Sequence, residues 1–260
     1  FRNDQNGSGW VHSQNGLINS MVTDIRIHPT ISGYLYTSVS RAGFYFSTDD
    51  GVSWQQLNQG LTDLDATGIV LHPQNPDRIY LLTGSGGLFS CTLPDCFWTT
   101  KNAGLPTISA DIYLVMGFTP KNELETEIVF SGQQVDEVET KGVSYQTLND
   151  LDFSLSHPDN VYLATNGDGV YRSQNGTESW VRVGLSGLNI QQVAVNPGNP
   201  LVVYASPSNS DTVYTTTNAG SSWSPSKVPG GMINDLTVSN LEPGVLFVAT
   251  NAGLYKRVDG

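Results

Sequence analysis

The stretch Ser47-Thr48-Asp49-Asp50-Gly51-Val52-Ser53-Trp54 decides the fold of this chain, because its form Ser-x-Asp-x-Gly-x-x-Trp recurs along the sequence. Residues 216–223 read Thr-Thr-Asn-Ala-Gly-Ser-Ser-Trp and keep the whole skeleton. Residues 173–180 read Ser-Gln-Asn-Gly-Thr-Glu-Ser-Trp and keep both ends, but the central Gly is displaced. A shorter copy at residues 142–146, Gly-Val-Ser-Tyr-Gln, matches residues 51–55 with Tyr in place of Trp. The chain is therefore built from repeats.

Aromatic residues mark these repeats at a fairly regular spacing. With one Trp or Tyr as the marker of each copy, successive markers are 44, 44, 47, 35 and 43 residues apart. A period of about 40 to 45 residues is that of a four-stranded β-propeller blade. The sequence therefore predicts an all-β fold, with residues 1–260 forming a single six-bladed propeller of antiparallel blades. The six markers are Trp10, Trp54, Trp98, Tyr145, Trp180 and Trp223.

The repeated motif has a structural explanation. Its Ser or Thr and its Asp or Asn can hydrogen-bond the backbone of a tight turn, and Gly supplies a positive φ. The Trp ring packs beside the turn. We therefore interpret the motif as a turn staple and not as a site. The residues assigned to it are Ser47, Asp49, Gly51, Trp54, Ser173, Asn175, Trp180, Thr216, Asn218, Gly220 and Trp223.

The two chain ends are predicted to share one blade. The last repeat supplies three predicted strands, 235–239, 244–250 and 253–257, and then the chain stops. Residues 1–10 align with residues 171–180, so residues 10–12 are predicted to add the missing outer strand. Such closure removes the exposed edges of an open array of sheets. The third repeat is the least regular: its strands are predicted at residues 111–118, 126–131, 135–140 and 143–148, and it keeps only the shorter copy of the motif.

Composition narrows the class of partner. The 260 residues carry a formal net charge of −12, and their 12 Lys and Arg are scattered along the chain. Nucleic-acid binding requires clustered cations, so nucleic acid is excluded as a partner. No run of about 18 apolar residues occurs, so we predict no membrane span. Cations, neutral glycans and basic proteins are the partners that this charge favours.

The two cysteines, Cys91 and Cys96, lie where the second repeat should carry its motif. A disulfide bond between them would replace the missing staple, whereas a metal site would need further ligands. We predict the disulfide, and with it a secreted, extracellular or periplasmic location. The chain begins at Phe1 without an apolar leader, which is what a mature or trimmed protein would show.

Four predicted innermost strands begin with Asp followed by the pattern apolar-x-apolar. In a propeller these strands line the central tunnel, so the four carboxylates are predicted to form a ring at the tunnel mouth. Gly68 and Gln192 occupy the other two positions. Carboxylates held close together could bind Ca²⁺, a cationic ligand or sugar hydroxyls, or each could cap its strand by accepting backbone hydrogen bonds. The four are Asp24, Asp111, Asp152 and Asp235.

A few further residues are candidates for the same face. Arg26 and Arg41 are the arginines that map near it, and Gln192 takes the place of an Asp. Tyr113 is a candidate aromatic platform for a sugar, although packing in the core is the alternative for this residue. The sequence assigns no catalytic residue and no metal ligand.

On the motif at residues 47–54 and its copies, the chain resembles the Asp-box (BNR repeat) β-propellers of sialidases, xyloglucanases, sortilin ectodomains and photosystem II assembly factors. The resemblance covers the whole chain and implies only the architecture. Sialidases carry three convergent arginines, which this chain cannot assemble. Xyloglucanase-like enzymes use carboxylates in a cleft between two propellers, and this chain has residues for one. Photosystem II assembly factors carry a basic patch, which this acidic sequence lacks.

Two functions remain open at this point. The first is a secreted, non-catalytic binding module that recognises a glycan or a protein at the tunnel mouth. The alternative is a glycoside hydrolase of the Asp-box propeller type, closer to xyloglucanases than to sialidases. An acid and base pair for hydrolysis could come from Asp24 with Asp235. The chain is expected to be a monomer or one module of a longer protein.

Overall fold

The computed structural model describes residues 2–3, 10–18, 21–114 and 138–258. Their regular secondary structure is entirely β, as predicted, and their hydrogen-bonded strand pairs are antiparallel. No helix in this part of the chain has the length and apolarity to cross a membrane. The first two strands, β1 (Arg2–Asn3) and β2 (Trp10–Val11), pair with each other.

Two four-stranded sheets follow, each in chain order from its inner to its outer strand. The first contains β3 (Val22–Ile27), β4 (Leu35–Val39), β5 (Gly43–Ser47) and β6 (Gln55–Gln56). The second contains β7 (Ala66–His72), β8 (Asn75–Thr83), β9 (Leu88–Thr92) and β10 (Thr99–Thr100). Then come β11 (Thr107–Leu114) and β12 (Val138–Tyr145), which pair only with each other.

Three further sheets complete the described structure. The third contains β13 (Leu148–Phe153), β14 (Val161–Thr165), β15 (Gly169–Ser173) and β16 (Val181–Gly184). The fourth contains β17 (Ile190–Val195), β18 (Val203–Pro207), β19 (Thr212–Thr216) and β20 (Ser224–Lys227). The fifth has three strands, β21 (Ile233–Val238), β22 (Val245–Thr250) and β23 (Gly253–Val258).

These five sheets stand in a row with their inner strands side by side. The contacts run from β3 to β7, from β7 to β13, from β13 to β17 and from β17 to β21. Apolar clusters fill the spaces between neighbouring sheets. Tyr36 and Phe44 of the first sheet, for example, pack with Ile69 and Trp98 of the second. Such stacked four-stranded antiparallel sheets are propeller-like blades.

A glycine in the connection to the next sheet approaches the backbone of that sheet closely at three places. Gly16, Gly60 and Gly104 have φ values of 93°, 95° and 86°, and a Cβ atom at any of them would clash with the backbone of a marker Trp in the following sheet. The backbone N–H groups of Trp98 and Trp180 donate to Gln59 and Ala103, which precede two of these glycines. Only glycine combines this backbone conformation with so close an approach.

The predicted third blade is wrong, because residues 101–104 bind directly to Trp180 of the third sheet. The Trp180 indole donates to the Lys101 carbonyl over 2.8 Å, as the Trp98 indole donates to Leu57. The hairpin of β11 and β12 is therefore an insertion between two adjacent sheets. The strand predicted at residues 126–131 and most of that predicted at 135–140 lie outside the described residues.

The predicted closing strand is also not where we expected it. Residues 10–11 pair with β1 and not with the fifth sheet, which keeps three strands in the described structure. The residues that follow nevertheless bind the first sheet in the repeated manner. The Trp54 indole donates to the Ser13 carbonyl over 3.0 Å, and the Trp54 N–H donates to Asn15 over 2.8 Å. The six-bladed ring therefore does not appear as a closed array among the described strands.

The repeated motif forms the same bonds in each of its three copies. In the first, the Ser47 hydroxyl donates to Asp49 over 2.7 Å and accepts from the Gly51 N–H over 2.9 Å. The copies at residues 173–180 and 216–223 repeat both bonds. In the middle copy Thr177, at φ 79°, takes the place of Gly51, at φ 77°. The motif thus staples a turn even where its glycine is displaced.

The predicted disulfide between Cys91 and Cys96 is confirmed. Cys91 pairs with Ile79 in the second sheet as Ser47 pairs with Leu35 in the first, so it occupies the position of the motif serine. The covalent bond replaces the hydrogen bonds of the staple in that turn. A disulfide of this kind fits an extracellular or periplasmic protein.

Candidate functional site

The inner strands line a cleft of about 530 Å³. Its walls come from β3, β7, β13, β17 and β21, so every sheet of the row contributes to it. Polar and apolar side chains both line it, and six of the lining side chains are polar. They are Arg26, Asp150, Asp152, Asp235, Thr237 and Asn240.

Two aspartates join neighbouring inner strands through their carboxylates. Asp24 accepts the N–H of Ile25 on its own strand and that of Ile69 on β7, the latter over 3.0 Å. Asp150 accepts from Leu151 on its own strand and from Val193 on β17, the latter also over 3.0 Å. Inner strands of adjacent sheets are not paired in a ladder, so these carboxylates satisfy backbone donors that would otherwise lack a partner.

The strand register shows that Asp150, and not Asp152, is the equivalent of Asp24. The inner strands are irregular at the same place, and the residue after the irregularity is Asp24 in β3, Asp150 in β13 and Asp235 in β21. The placement of Asp152 at this level is therefore wrong by two residues. Residues 150–153 also read Asp-apolar-x-apolar, a signal that the sequence analysis missed.

Asp152 lies one pleat further along β13 and forms a second bridge. Its carboxylate accepts the N–H of Phe153 and that of Val195 on β17, both over 2.8 Å. Two successive inward-facing residues of one strand thus carry carboxylates that bind the same neighbouring strand.

The surroundings of this pair shift both pKa values upward. Burial raises the pKa of Asp150 to about 7, and the charge of Asp152 adds to the shift, while the Val193 and Leu151 amides and Arg26 oppose it. Burial raises the pKa of Asp152 to about 6 against the hydrogen bonds from Val195 and Phe153. The solvent-exposed surface of the two residues nevertheless shows that each is only half-buried. Protein atoms therefore crowd the two carboxylates although solvent reaches part of each.

Arg26 brings a cation into this group. Its Nη2 atom lies 2.9 Å from Asp24 Oδ2, and its Nε atom donates to the Ile69 carbonyl over 2.8 Å. The side chain is 49% exposed, so the guanidinium still offers N–H donors to a ligand. The sequence placed Arg26 near the face of the carboxylates, and the structure places it in the lining of the cleft.

Asp235 and Gln192 meet at the other end of the row. Gln192 Nε2 donates to Asp235 Oδ1 over 2.8 Å and to the Asn234 carbonyl over 3.1 Å. Asp235 also accepts from the Leu236 N–H, and its side chain is exposed. The structure therefore brings Asp235 and Gln192 together, as their shared strand position predicted.

The remaining candidates do not line the cleft. Arg41 is exposed, with φ 59°, in the turn between β4 and β5 at the end of the sheet where Asp24 lies. Asp111 and Tyr113 are in β11, which pairs with β12 and is not an inner strand, so the expected place of Asp111 in the ring is wrong. The side chains of these two residues lie outside the described part of the structure.

The carboxylates do not fit a Ca²⁺ site. The described ranges contain no group of three or more His, Cys, Asp or Glu arranged to hold a metal ion. Each oxygen of Asp24, Asp150 and Asp152 accepts one backbone N–H group, and these side chains do not form a cluster that supplies the six to eight oxygen ligands of Ca²⁺. The bonds of these three side chains match the alternative prediction, in which each Asp caps its strand by accepting backbone hydrogen bonds.

Comparison with known proteins identifies similar folds. No family model matches the chain, and no curated protein matches it in sequence. An ancestral GH74 enzyme is 20% identical with a TM-score of 0.51, over 92% of this chain and 36% of that one. The GH74 xyloglucanase from Xanthomonas campestris is 16% identical with a TM-score of 0.60, over 95% of this chain and 39% of that one.

A third similar structure is the extracellular domain described as that of a hybrid two-component system of B. thetaiotaomicron. It is 12% identical with a TM-score of 0.60, over 95% of this chain and 30% of that one. The chain thus spans well under half the length of the solved proteins that it resembles. Identities at this level establish a likeness of fold alone.

Proposed function

We propose that this chain is an extracellular, non-catalytic carbohydrate-binding module whose site is the inner-strand cleft. The observation that carries the proposal is the bonding of Asp150 and Asp152, whose four carboxylate oxygens all accept backbone N–H groups. Carboxylates held in this way are fixed acceptors, and each oxygen keeps a lone pair for a sugar hydroxyl. Arg26 adds N–H donors from β3.

Xyloglucan fragments are the first ligands to test, because two of the similar solved structures are GH74 enzymes and one of these is a xyloglucanase. The cleft volume of about 530 Å³ lies within the range of small-molecule sites. Its hydroxyl-binding groups also suit other neutral glucans. This choice rests on fold-level analogy and on the chemistry of the lining.

Calorimetric titration with xyloglucan oligosaccharides tests the proposal. Asp235 is exposed and accepts hydrogen bonds, so Asp235→Asn should weaken binding about 10-fold through the loss of one charge-assisted bond, and Arg26→Gln should do the same. Asp95→Asn is the matched control, because Asp95 is exposed in the disulfide loop away from the inner strands. Absence of binding, or equal weakening by all three substitutions, would contradict the proposal.

A glycoside hydrolase is the second candidate, favoured by the raised pKa of Asp150 of about 7. A carboxyl group that keeps its proton near neutral pH is what a general acid requires. In this case the oligosaccharides used for titration should release reducing ends, and Asp150→Asn should abolish the release. Binding without any release of reducing ends supports the module, whereas release that depends on Asp150 supports the enzyme.

The proposal includes closure of the row of five sheets into a ring. The first and last sheets leave apolar side chains exposed, among them Ile25, Ile27, Leu254 and Val258. Closure would bury these groups and pair the free edge of β23. Hydrogen exchange tests this point: in a closed ring, slow exchange is expected for those backbone amides of residues 254–258 that point away from β22, since pairing with β22 already protects the others. Exchange as fast as in the exposed turns would show that the edge stays open.

A further inference from the structure

A second cavity, which we call the outer pocket, lies on the second sheet. Its volume is about 360 Å³, and its lining includes Arg78 of β8, Thr92 of β9 and Thr99 of β10. Arg78 pairs with Thr92, and Thr99 pairs with Ser90, so these side chains point to one face of the sheet. Phe97 and Lys101 flank Thr99 and complete the part of the lining that matters here.

The outer pocket is cationic in a strongly acidic chain. Lys101 Nζ lies 2.6 Å from Glu178, and Arg78 Nη2 lies 3.9 Å from the same carboxylate. Within the described ranges, Glu178 is the one carboxylate in an ion pair with either cation. The Lys101 and Arg78 side chains are 16% and 30% exposed, respectively, so both charges are partly withdrawn from water. Two cations that share one carboxylate favour an anionic group of a ligand.

Phe97 gives the outer pocket an apolar platform. Its side chain is 56% exposed, although its neighbours Cys96 and Trp98 are buried, with only 5% and 1% of their surface exposed. The ring also lies against Gly60, where a Cβ atom would stand 3.1 Å from Phe97 Cε1. The buried neighbours and the disulfide hold the backbone on both sides of the ring, so stacking a ligand on it costs little additional ordering.

We propose that the outer pocket binds a uronic-acid residue of an acidic polysaccharide. The sugar carboxylate would pair with Arg78 and Lys101, the apolar face of the ring would stack on Phe97, and the hydroxyl groups would bond Thr92 and Thr99. Inorganic anions offer the charge without the apolar face, and neutral sugars offer the face without the charge. A uronate is the ligand class that uses all three parts of the lining.

This site is separate from the inner-strand cleft. The cleft is lined by the first strand of each sheet, whereas the outer pocket is lined by the second, third and fourth strands of the second sheet together with Phe97 and Lys101. No residue lines both cavities. The outer pocket can therefore bind its ligand whether or not the proposed function of the cleft is correct.

Titration with trigalacturonate, followed by calorimetry, tests the inference. Phe97→Ala should weaken binding about 10-fold without affecting the fold, since the ring is exposed. Thr99→Glu, which adds a carboxylate at an exposed position in the lining, should abolish binding. Raising the salt concentration should also weaken binding, because the carboxylate contact is electrostatic. Asp235→Asn, in the cleft, is the control and should leave trigalacturonate binding unchanged.

Three outcomes would overturn the inference. One is equal binding of the carboxyl-reduced trisaccharide, which would remove the role of Arg78 and Lys101. Another is inorganic phosphate that binds as tightly as trigalacturonate, which would make the site a plain anion site without a role for Phe97. The last is trigalacturonate binding that Asp235→Asn weakens and Phe97→Ala does not, which would place the ligand in the cleft.

Discussion

Replacement of Trp98 by alanine is expected to lower the free energy of unfolding by about 3 to 5 kcal/mol, the range for truncating a buried aromatic side chain. Trp98 is 1% exposed and lies between the first two sheets. Its ring meets that of Phe44 edge-on, with the centroids 5.2 Å apart, and its indole N–H donates to the Leu57 carbonyl over 2.7 Å. The substitution removes packing between two sheets and leaves the partly buried Leu57 carbonyl without its donor.

Urea denaturation followed by circular dichroism measures this loss. Trp98→Phe should cost less, because it keeps most of the packing and loses chiefly the hydrogen bond to Leu57, for about 1 to 2 kcal/mol. Phe97→Ala is the neighbouring control and should cost little, since Phe97 is exposed. If Trp98→Ala and Phe97→Ala destabilise the protein equally, the contact between these sheets does not hold the fold together as the structure indicates.

Stability is expected to fall as the pH rises from 5 to 8, because of Asp150 and Asp152. Their pKa values are raised to about 7 and about 6 from an ordinary value of 3.8. Between these limits the folded state holds protons that the unfolded state has released, so the stabilisation is complete at low pH and is lost as the pH rises through the folded pKa values. The loss is on the order of a few kcal/mol, since one pKa unit corresponds to about 1.4 kcal/mol.

Other titrating groups also affect how stability depends on pH, and their effects must be separated from those of Asp150 and Asp152. Burial lowers the pKa of His72, so His72 contributes stability that is lost as the pH falls through its ordinary range and opposes the aspartates. The pKa of Asp49 is lowered to about 2 by hydrogen bonds from Ser53 and Ser47, and its contribution is lost only below pH 4. The charge of Arg26, on β3, acts on Asp150 and opposes the upward shift of its pKa.

A double variant isolates the effect of the pair. Asp150→Asn with Asp152→Asn removes both titrating groups and leaves His72 in place, so the fall in stability between pH 5 and 8 should become smaller or reverse. The measurement is the free energy of unfolding in urea at pH 5, 6, 7 and 8. A fall in stability of the same size in the variant as in the unchanged protein would show that these carboxylates do not titrate in this range.

Some residues of the inner-strand cleft could be predicted from the sequence. Asp24, Asp235, Arg26 and Gln192 lie on inner strands as the repeat predicted, because one side of a strand can be read from a pattern of period two. Asp150 was missed since residues 150–153 fit the same pattern as residues 152–155. The two alignments differ by two residues and place the same side of the strand inward, so a pattern of period two cannot choose between them.

Short stretches of the sequence specify the local structure of this protein: the all-β class, the stapled turns and the disulfide that replaces one staple. These depend on residues close together in the chain, so short motifs such as residues 47–54 specify them. Only the three-dimensional packing shows that Thr107–Leu114 and Val138–Tyr145 form an inserted pair of strands, that β2 pairs with β1, and which carboxylates face the cleft. Pairing between distant strands depends on which neighbour buries each sheet, and a repeat count does not contain that information.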